Sequence, residues 1–363
     1  MRQAPTTLGK RLLCNAHWLF IAILLPLPLC DSFLPESLQI ANLMRPVFIF
    51  CILGLALNIV TGYTGLLNLG VAAFMGIGAY TYGILTCDIY PFQFGFWTGT
   101  LLTIIIGAFT GVLLGIPTLR LRGDYLAIVT LGFGEIVQDS LKNLEAITKG
   151  TQGINPLPRP VIGTYQFVSE QYQPWYYLLL GILALVILLC RNLEHSRIGR
   201  SWIAIREDEL AATCMGINPV RTKLYAFAFC AGLASLSGAL WASYLASTAE
   251  PGNYDFQISI LALCMVIVGG MGSVSGVVLG ALLMVGFNSI ILVKLSTYLA
   301  STGKLTSASV FASPNNWKYM VFGLALVLTM RFRPEGLLPS RIVRGEMHHD
   351  AEDERASKTP EGS

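Results

Sequence analysis

Apolar residues run along this chain in long blocks separated by short polar connectors. A helix needs about 20 mostly apolar residues to cross the bilayer core, and blocks of that kind recur from end to end. They predict ten spans: 18–30, 45–60, 63–86, 96–118, 123–141, 175–190, 223–247, 257–271, 273–293 and 317–331. Two blocks are interrupted by glycine. Residues 62–83 carry Gly62, Gly65, Gly70, Gly76, Gly78 and Gly83, and residues 269–272 read Gly-Gly-Met-Gly. Broken or re-entrant backbone at membrane depth is tolerated only where protein or a wet cavity covers it, so the span count lies between eight and ten. The pattern predicts an all-α fold, a polytopic transmembrane helical bundle.

The polar stretches complete the organisation. Residues 1–17 form an N-terminal segment and 18–340 the transmembrane domain. Residues 142–174, with Gly150, Gly153, Pro156, Pro158 and Pro160, read as an outer loop of turn and coil. Residues 191–222 are the longest internal loop on the other side, and 341–363 read as a disordered tail. With the N-terminus placed in the cytoplasm and the spans alternating, 17 of the 24 Lys and Arg residues fall inside and 7 outside. The positive-inside rule favours that orientation, which puts both termini in the cytoplasm. Lys10 and Arg11 precede the apolar run Trp18–Leu29, but Leu29 before Cys30 is too large for a signal-peptide cleavage position. The run is therefore read as a retained first span.

Composition sharpens this picture. Charged residues make up 12% of the chain, against about 25% in a soluble domain, and the mean hydropathy is +0.61. A net charge of +3, with cations in short clusters, is no nucleic-acid signal. The eight cysteines (Cys14, Cys30, Cys51, Cys87, Cys190, Cys214, Cys230, Cys264) form no CxxC pair, lie mostly in apolar runs, and read as small apolar fillers. Gly107, Gly111 and Gly115 repeat every four residues, as do Gly272, Gly276 and Gly280. Each set lies on one helix face and admits a close neighbouring backbone, within the chain or in a partner.

Catalytic signatures are absent. There is no G-x-x-x-x-G-K-[ST] loop to cradle ATP phosphates, no H-E-x-x-H and no G-x-S-x-G. His348-His349-Asp350 lies in the polar tail and is read as solvated rather than metal-binding. The expectation is a protein without catalytic residues, metal or cofactor.

The loop 191–222 carries the first candidate site. Ile203, Leu210, Ala211 and Met215 can share one face of a short helix, with Arg206, Glu207, Asp208 and Glu209 on its polar side. Gly216 and Asn218-Pro219 then end it. Such a helix is suited to dock in a groove of a soluble partner; the alternative is a solvated interfacial helix. The second candidate site is a set of polar residues inside apolar runs. Asn58 and Asn68 bracket the glycine-rich region, and Glu135 sits about twelve residues into its span beside Gly132 and Gly134. They either line a path for a small zwitterion or make structural hydrogen bonds between helices.

Several blocks carry a family resemblance. Ala211-Ala212 followed by Gly216 resembles the E-A-A-x-x-x-G loop of ABC importer permeases, with Leu210 standing where that loop has Glu. The runs Gly62–Gly70, Arg120–Glu135, Ser196–Arg200, Ala204–Glu209, Val268–Ser273 and Arg331–Leu337 resemble permease subunits of branched-chain amino acid ABC importers, the LivM type of the LivH/LivM family. The resemblance runs in order from about residue 45 to residue 340. It implies a transmembrane permease subunit in a bacterial inner membrane, and branched-chain or other neutral amino acids as solute. It also implies two ATP-binding subunits, a second homologous permease and an extracytoplasmic solute-binding protein as partners. ATPase coupling then falls to residues 201–218, with Ile203, Arg206, Glu207, Asp208, Glu209, Leu210, Ala211, Ala212 and Gly216 as its candidates, and a substrate path to Asn58, Asn68 and Glu135. The alternatives are a urea or short-amide importer and, in a different class, a channel or structural membrane subunit. ATP-dependent uptake requiring the binding protein would separate the last two from a permease.

Overall fold

The computed structural model describes residues 24–31, 41–118, 124–162, 165–167, 172–294, 317–333 and 335–338. The N-terminal segment 1–17, the start of the first span, the cations Arg120 and Arg122, and the tail 341–363 with His348 and His349 lie outside the described residues.

The described elements are helices apart from one antiparallel pair of two-residue strands, β1 (Val161–Ile162) and β2 (Tyr165–Gln166). In chain order the helices are α1 (Leu27–Asp31), α2 (Ala41–Asn58), α3 (Val71–Thr86), α4 (Phe96–Thr118), α5 (Asp124–Asn143), α6 (Glu145–Thr148), α7 (Tyr172–His195), α8 (Arg197–Glu207), α9 (Glu209–Cys214), α10 (Pro219–Leu245), α11 (Phe256–Gly269), α12 (Val274–Gly286) and α13 (Lys318–Phe332). α2 continues into a π-helical turn, Ile59–Tyr63, and α12 into another, Phe287–Leu292. Among the described residues, six helical segments are long and apolar enough to cross a membrane: Ala41–Tyr63, Phe96–Thr118, Tyr172–His195, Pro219–Leu245, Pro251–Gly269 and Val274–Leu292. Val71–Thr86 and Met320–Phe332 are shorter apolar helices. The block expected as one span from 63 to 86 is divided: residues 65–70 run without helix before α3 begins. The Gly-Gly-Met-Gly run likewise separates α11 from α12, with Gly270 at φ 123° and Gly272 at φ 72°. These left-handed conformations suit glycine.

α2 is apolar on every side and buried nearly throughout, so it forms the centre of the bundle. α10 packs against α2, α3 and α4. Small residues allow that closeness. A Cβ added at Gly111 would stand 2.5 Å from the Ala231 Cβ and 2.6 Å from the Phe227 carbonyl oxygen. Gly107 is pressed against the Ser235 side chain, and Gly238 of α10 lies on the Met75 carbonyl of α3. The Gly107/Gly111/Gly115 stripe therefore packs within the chain. So does the second stripe: Gly276 faces Gly269 and the Leu338 carbonyl, and Gly280 faces the Met265 carbonyl. The opposite face of α4 is a row of exposed Trp97, Leu101, Ile105, Phe109 and Leu113.

Hydrogen bonds gather the connections at two ends of the bundle. At one end Arg206 reaches Gly62, Asn58 reaches Gly272, and Leu337 N–H donates to the Val268 carbonyl. At the other, Leu157 N–H donates to the Ala246 carbonyl, Thr248 N–H to the Ile154 carbonyl, and the Tyr90 hydroxyl to the Ile147 carbonyl. Cys51, Cys87, Cys190, Cys214, Cys230 and Cys264 are free thiols, and all of these but Cys214 are buried.

A bulky side chain at the α4–α10 crossing should be intolerable. Gly111→Leu is expected to lower stability by about 3 kcal/mol or more, since no rotamer avoids the α10 backbone. Gly181→Leu, at a position with open space around it, should be neutral. Thermal unfolding of the detergent-solubilised protein, followed by size-exclusion chromatography, would show both; equal melting temperatures for the two variants would refute the packing argument.

Candidate coupling segment and translocation surface

The loop after α7 folds as two short helices rather than one. Ser196 caps α8, its Oγ accepting from the Gly199 N–H at 3.1 Å. Asp208 then adopts an extended conformation (φ −154°, ψ 111°) and starts α9, its Oδ1 accepting from the Leu210 and Ala211 N–H groups at 2.8 and 3.1 Å. α9 ends at Gly216, which is left-handed (φ 85°). Gly216 N–H donates to the Thr213 carbonyl and Ile217 N–H to the Ala212 carbonyl, a Schellman ending. Asn218 and Pro219 open α10 directly afterwards.

This break redistributes the expected faces. Leu210 and Met215 are 78% and 84% exposed, with Ala211 exposed as well, while Ile203 sits half-buried on α8. Ala212 is turned inward and buried. Glu207 and Asp208 are exposed, but Glu209 pairs with Lys223 of α10 at 2.7 Å, and that lysine is itself buried. Arg206 does not join the polar outer side. Its Nη1 donates to the Gly62 carbonyl at 2.8 Å, tying α8 to the π-helical turn at the end of α2. Trp202, which the helical pattern alone did not single out, anchors α8: it is fully buried, stacks on Tyr63 at 6.4 Å and donates from Nε1 to the Thr222 carbonyl at 2.8 Å.

The polar residues inside apolar runs part company. Asn58 is buried, and its Oδ1 accepts from the Gly272 N–H at 2.9 Å. Asn68 is buried too; its Oδ1 accepts from the Gly70 N–H at 2.9 Å and its amide faces the Cys230 sulfur. Both brace irregular backbone, and neither presents surface to a solute in this conformation. Glu135 is exposed on this chain; of the glycines beside it, Gly132 has open space around it and a Cβ at Gly134 would stand 3.9 Å from the Gly70 Cα. Tyr125, Ile128, Gly132, Glu135 and Asp139 recur at helical spacing on one side of α5, and all but the half-exposed glycine are exposed. Beside Glu135 a small cavity is lined by Leu69, Gly134, Asp255 and Ser259. Gln138 of α5 donates to the Pro251 and Gly252 carbonyls at 3.3 Å. Asp255, an acidic residue immediately before an apolar run and so a helix-start signal, caps α11 with its Oδ1. Among the described residues no three His, Cys, Asp or Glu side chains converge on a metal position.

Comparison with known proteins bears on these surfaces. The family described as branched-chain amino acid transport system / permease component matches residues 39–330. The high-affinity branched-chain amino acid transport system permease protein LivM of Salmonella typhimurium is 36% identical over 344 residues, 88% of this chain and 75% of the relative. Its Escherichia coli counterpart gives the same identity and coverage. A probable LivM of Methanocaldococcus jannaschii is 27% identical over 327 residues, 81% of this chain and 92% of its own length. No solved structure matches the chain.

Replacing either asparagine should damage the fold and spare solute recognition. Asn58→Leu strands the Gly272 N–H and is expected to cost about 1–3 kcal/mol. The apparent KM for solute in the surviving protein should be unchanged. A shifted KM with unchanged thermal stability would return Asn58 to the path.

Proposed function

The chain belongs to the family of permease components of branched-chain amino acid transport systems, and from that premise we propose that it forms part of the translocation path of an ATP-driven importer for branched-chain or other neutral amino acids. It is a multi-pass membrane protein, and its family works with ATP-binding and solute-binding partners. In this reading two ATP-binding subunits supply hydrolysis, a second homologous permease completes the path, and an extracytoplasmic binding protein delivers solute. The family match over residues 39–330 is the observation that carries it.

The surfaces supply the assignment of roles. The cation asymmetry supports placing the end that bears α8 and α9 in the cytoplasm. There Leu210 on the capped helix and Met215 at its end are exposed apolar side chains, of the kind that a groove of a soluble partner covers. An ATPase subunit is the occupant we assign to it. The exposed side of α5 supports a path or permease–permease interface. Glu135 on a lipid-facing surface would cost roughly 2.5–3.5 kcal/mol on insertion scales, whereas a wet path between two permeases would accommodate it.

Uptake by the reconstituted assembly tests the whole reading. Proteoliposomes holding both permeases and the ATPases, supplied with binding protein and ATP, should accumulate leucine in preference to urea. The chain alone should neither hydrolyse ATP nor take up leucine, and activity from it alone would refute the reading. Within that assembly, Leu210→Asp with Met215→Asp should reduce copurification of the ATPases about tenfold or more, the loss expected of a central apolar anchor. Undiminished copurification would place the docking site elsewhere. Glu135→Gln and Glu135→Leu should both cut uptake with assembly intact. If Gln is tolerated and Leu only lowers expression, Glu135 is an interhelical hydrogen-bonding group.

A further inference from the structure

We propose that Arg206 is a positioning residue that transmits movement of the coupling segment into the membrane, by holding the carbonyl of Gly62 in the π-helical turn that ends α2. The proposal rests on the importer reading above and goes beyond docking: it assigns Arg206 an inward role at a specified atom.

The geometry begins with the turn. In Ile59–Tyr63 the helix widens from α to π, and such turns concentrate at functional sites. A helix end leaves carbonyls without intrahelical partners; at Gly62 the Arg206 guanidinium takes that place, Nη1 to oxygen 2.8 Å. The stem of Arg206 is seated as well. Gly65 is left-handed (φ 69°), and a Cβ there would stand 3.0 Å from the Arg206 Cγ. The arginine thus lies along a groove that only glycine leaves open. Trp202, one turn earlier on α8, stacks flat on Tyr63 (4° between ring planes) and meets Phe229 edge-on. α8 therefore grips the turn at two successive residues, Gly62 and Tyr63.

The turn in turn touches a second break. A Cβ at Gly62 would stand 2.7 Å from the Gly272 nitrogen, and Asn58, one turn before Gly62, accepts from that same N–H. Gly272 belongs to the Gly-Gly-Met-Gly link between α11 and α12. A continuous set of contacts thus runs from α8 through Arg206 to Gly62, and through Asn58 to Gly272. Thr61 lies in the same turn. Its side chain is buried, and its hydroxyl has no hydrogen-bond partner. A buried unpaired hydroxyl costs free energy, which a rearranged turn that pairs or hydrates it would recover. α9 joins α8 at the extended Asp208 and α10 through the Glu209–Lys223 pair; α8 adds to these its two grips on the end of α2, and that is the route assigned here to Arg206.

The test uses the complete reconstituted importer. Arg206→Ala removes the guanidinium while Ser196, Trp202 and Asp208 still define α8 and α9, so the ATPases should copurify as with the unmodified chain. Solute moved per ATP hydrolysed should fall about tenfold, the scale expected for losing a charged hydrogen bond. Arg206→Lys keeps the stem and one donor and should give an intermediate ratio, which a purely structural residue would not. The second readout is Thr61→Cys. Its labelling by a membrane-impermeant maleimide, above that of the parent chain, should rise during turnover and lose that rise when combined with Arg206→Ala. An Arg206→Ala importer with a normal ratio of solute to ATP overturns the proposal, as does labelling that ignores turnover or ignores Arg206. Loss of ATPase copurification in Arg206→Ala also overturns it, by making Arg206 part of the docking contact. If the unmodified assembly shows no ATP-driven uptake, the importer reading fails and takes this inference with it; the control thus separates the two failures.

Discussion

Helices in lipid gain no hydrophobic drive to associate with one another, so a bundle depends on how closely their backbones can approach. In this chain that constraint is met around α10. Gly107 and Gly111 let α4 close onto one side of it, and Gly238 brings the other side onto α3. The consequence is a division between packed and outward faces. α4 spends its small residues inward and turns Trp97, Leu101, Ile105, Phe109 and Leu113 to the surroundings. α2, enclosed on all sides, has no outward face.

Close packing of backbone also allows the helices to break. Irregular segments at membrane depth must have every N–H and C=O paired by protein or water. Asn68 pairs with the N–H of Gly70 where the chain runs without helix before α3, and the Thr130 hydroxyl accepts from the Leu69 N–H from across the gap. Asn58 performs the same service for Gly272 between α11 and α12. The Ser259 hydroxyl accepts from the Ala72 N–H, joining the start of α3 to α11. Each break is thus held by a side chain from another element.

What was legible in the sequence follows from which forces are local. Apolar blocks and glycine runs announced the helices and the two interruptions, because span length and glycine's freedom at positive φ act residue by residue. The end of α9 at Gly216 and the start of α10 at Asn218-Pro219 were legible for the same reason. The direction of individual polar side chains was not. A single amphipathic helix across 203–215 would set Arg206 among the outer charges. Asp208 breaks that helix, because its carboxylate satisfies two N–H groups of a new one, and Arg206 is left on the inner side, where Gly62 offers an acceptor 144 positions away in sequence. Asn58 and Asn68 met the same fate in reverse. Their depth in apolar runs marked them as significant, but whether a buried amide faces a path or a broken backbone is decided by partners that no local pattern contains.

Glu135 carries the argument one step further. Its neighbours on α5 change character along the helix: Tyr125 and Ile128 are apolar and exposed, Gly132 stands before open space, and Glu135 and Asp139 are acidic and exposed. α4 has an outward face that is apolar along its length, as contact with acyl chains requires. α5 does not, and it falls outside the segments apolar enough to cross a membrane unaided. A 20-residue helix of this kind, flanked by apolar spans, is stable at membrane depth only if its polar side meets protein or water. Gly132 stands before open space, Asp139 pairs with Lys142 at 3.6 Å, and Glu135 lines the small cavity that Asp255 shares. Under the importer reading proposed above, an assembly in which α5 borders a polar path between subunits would supply the exposed Glu135 with hydration or a partner.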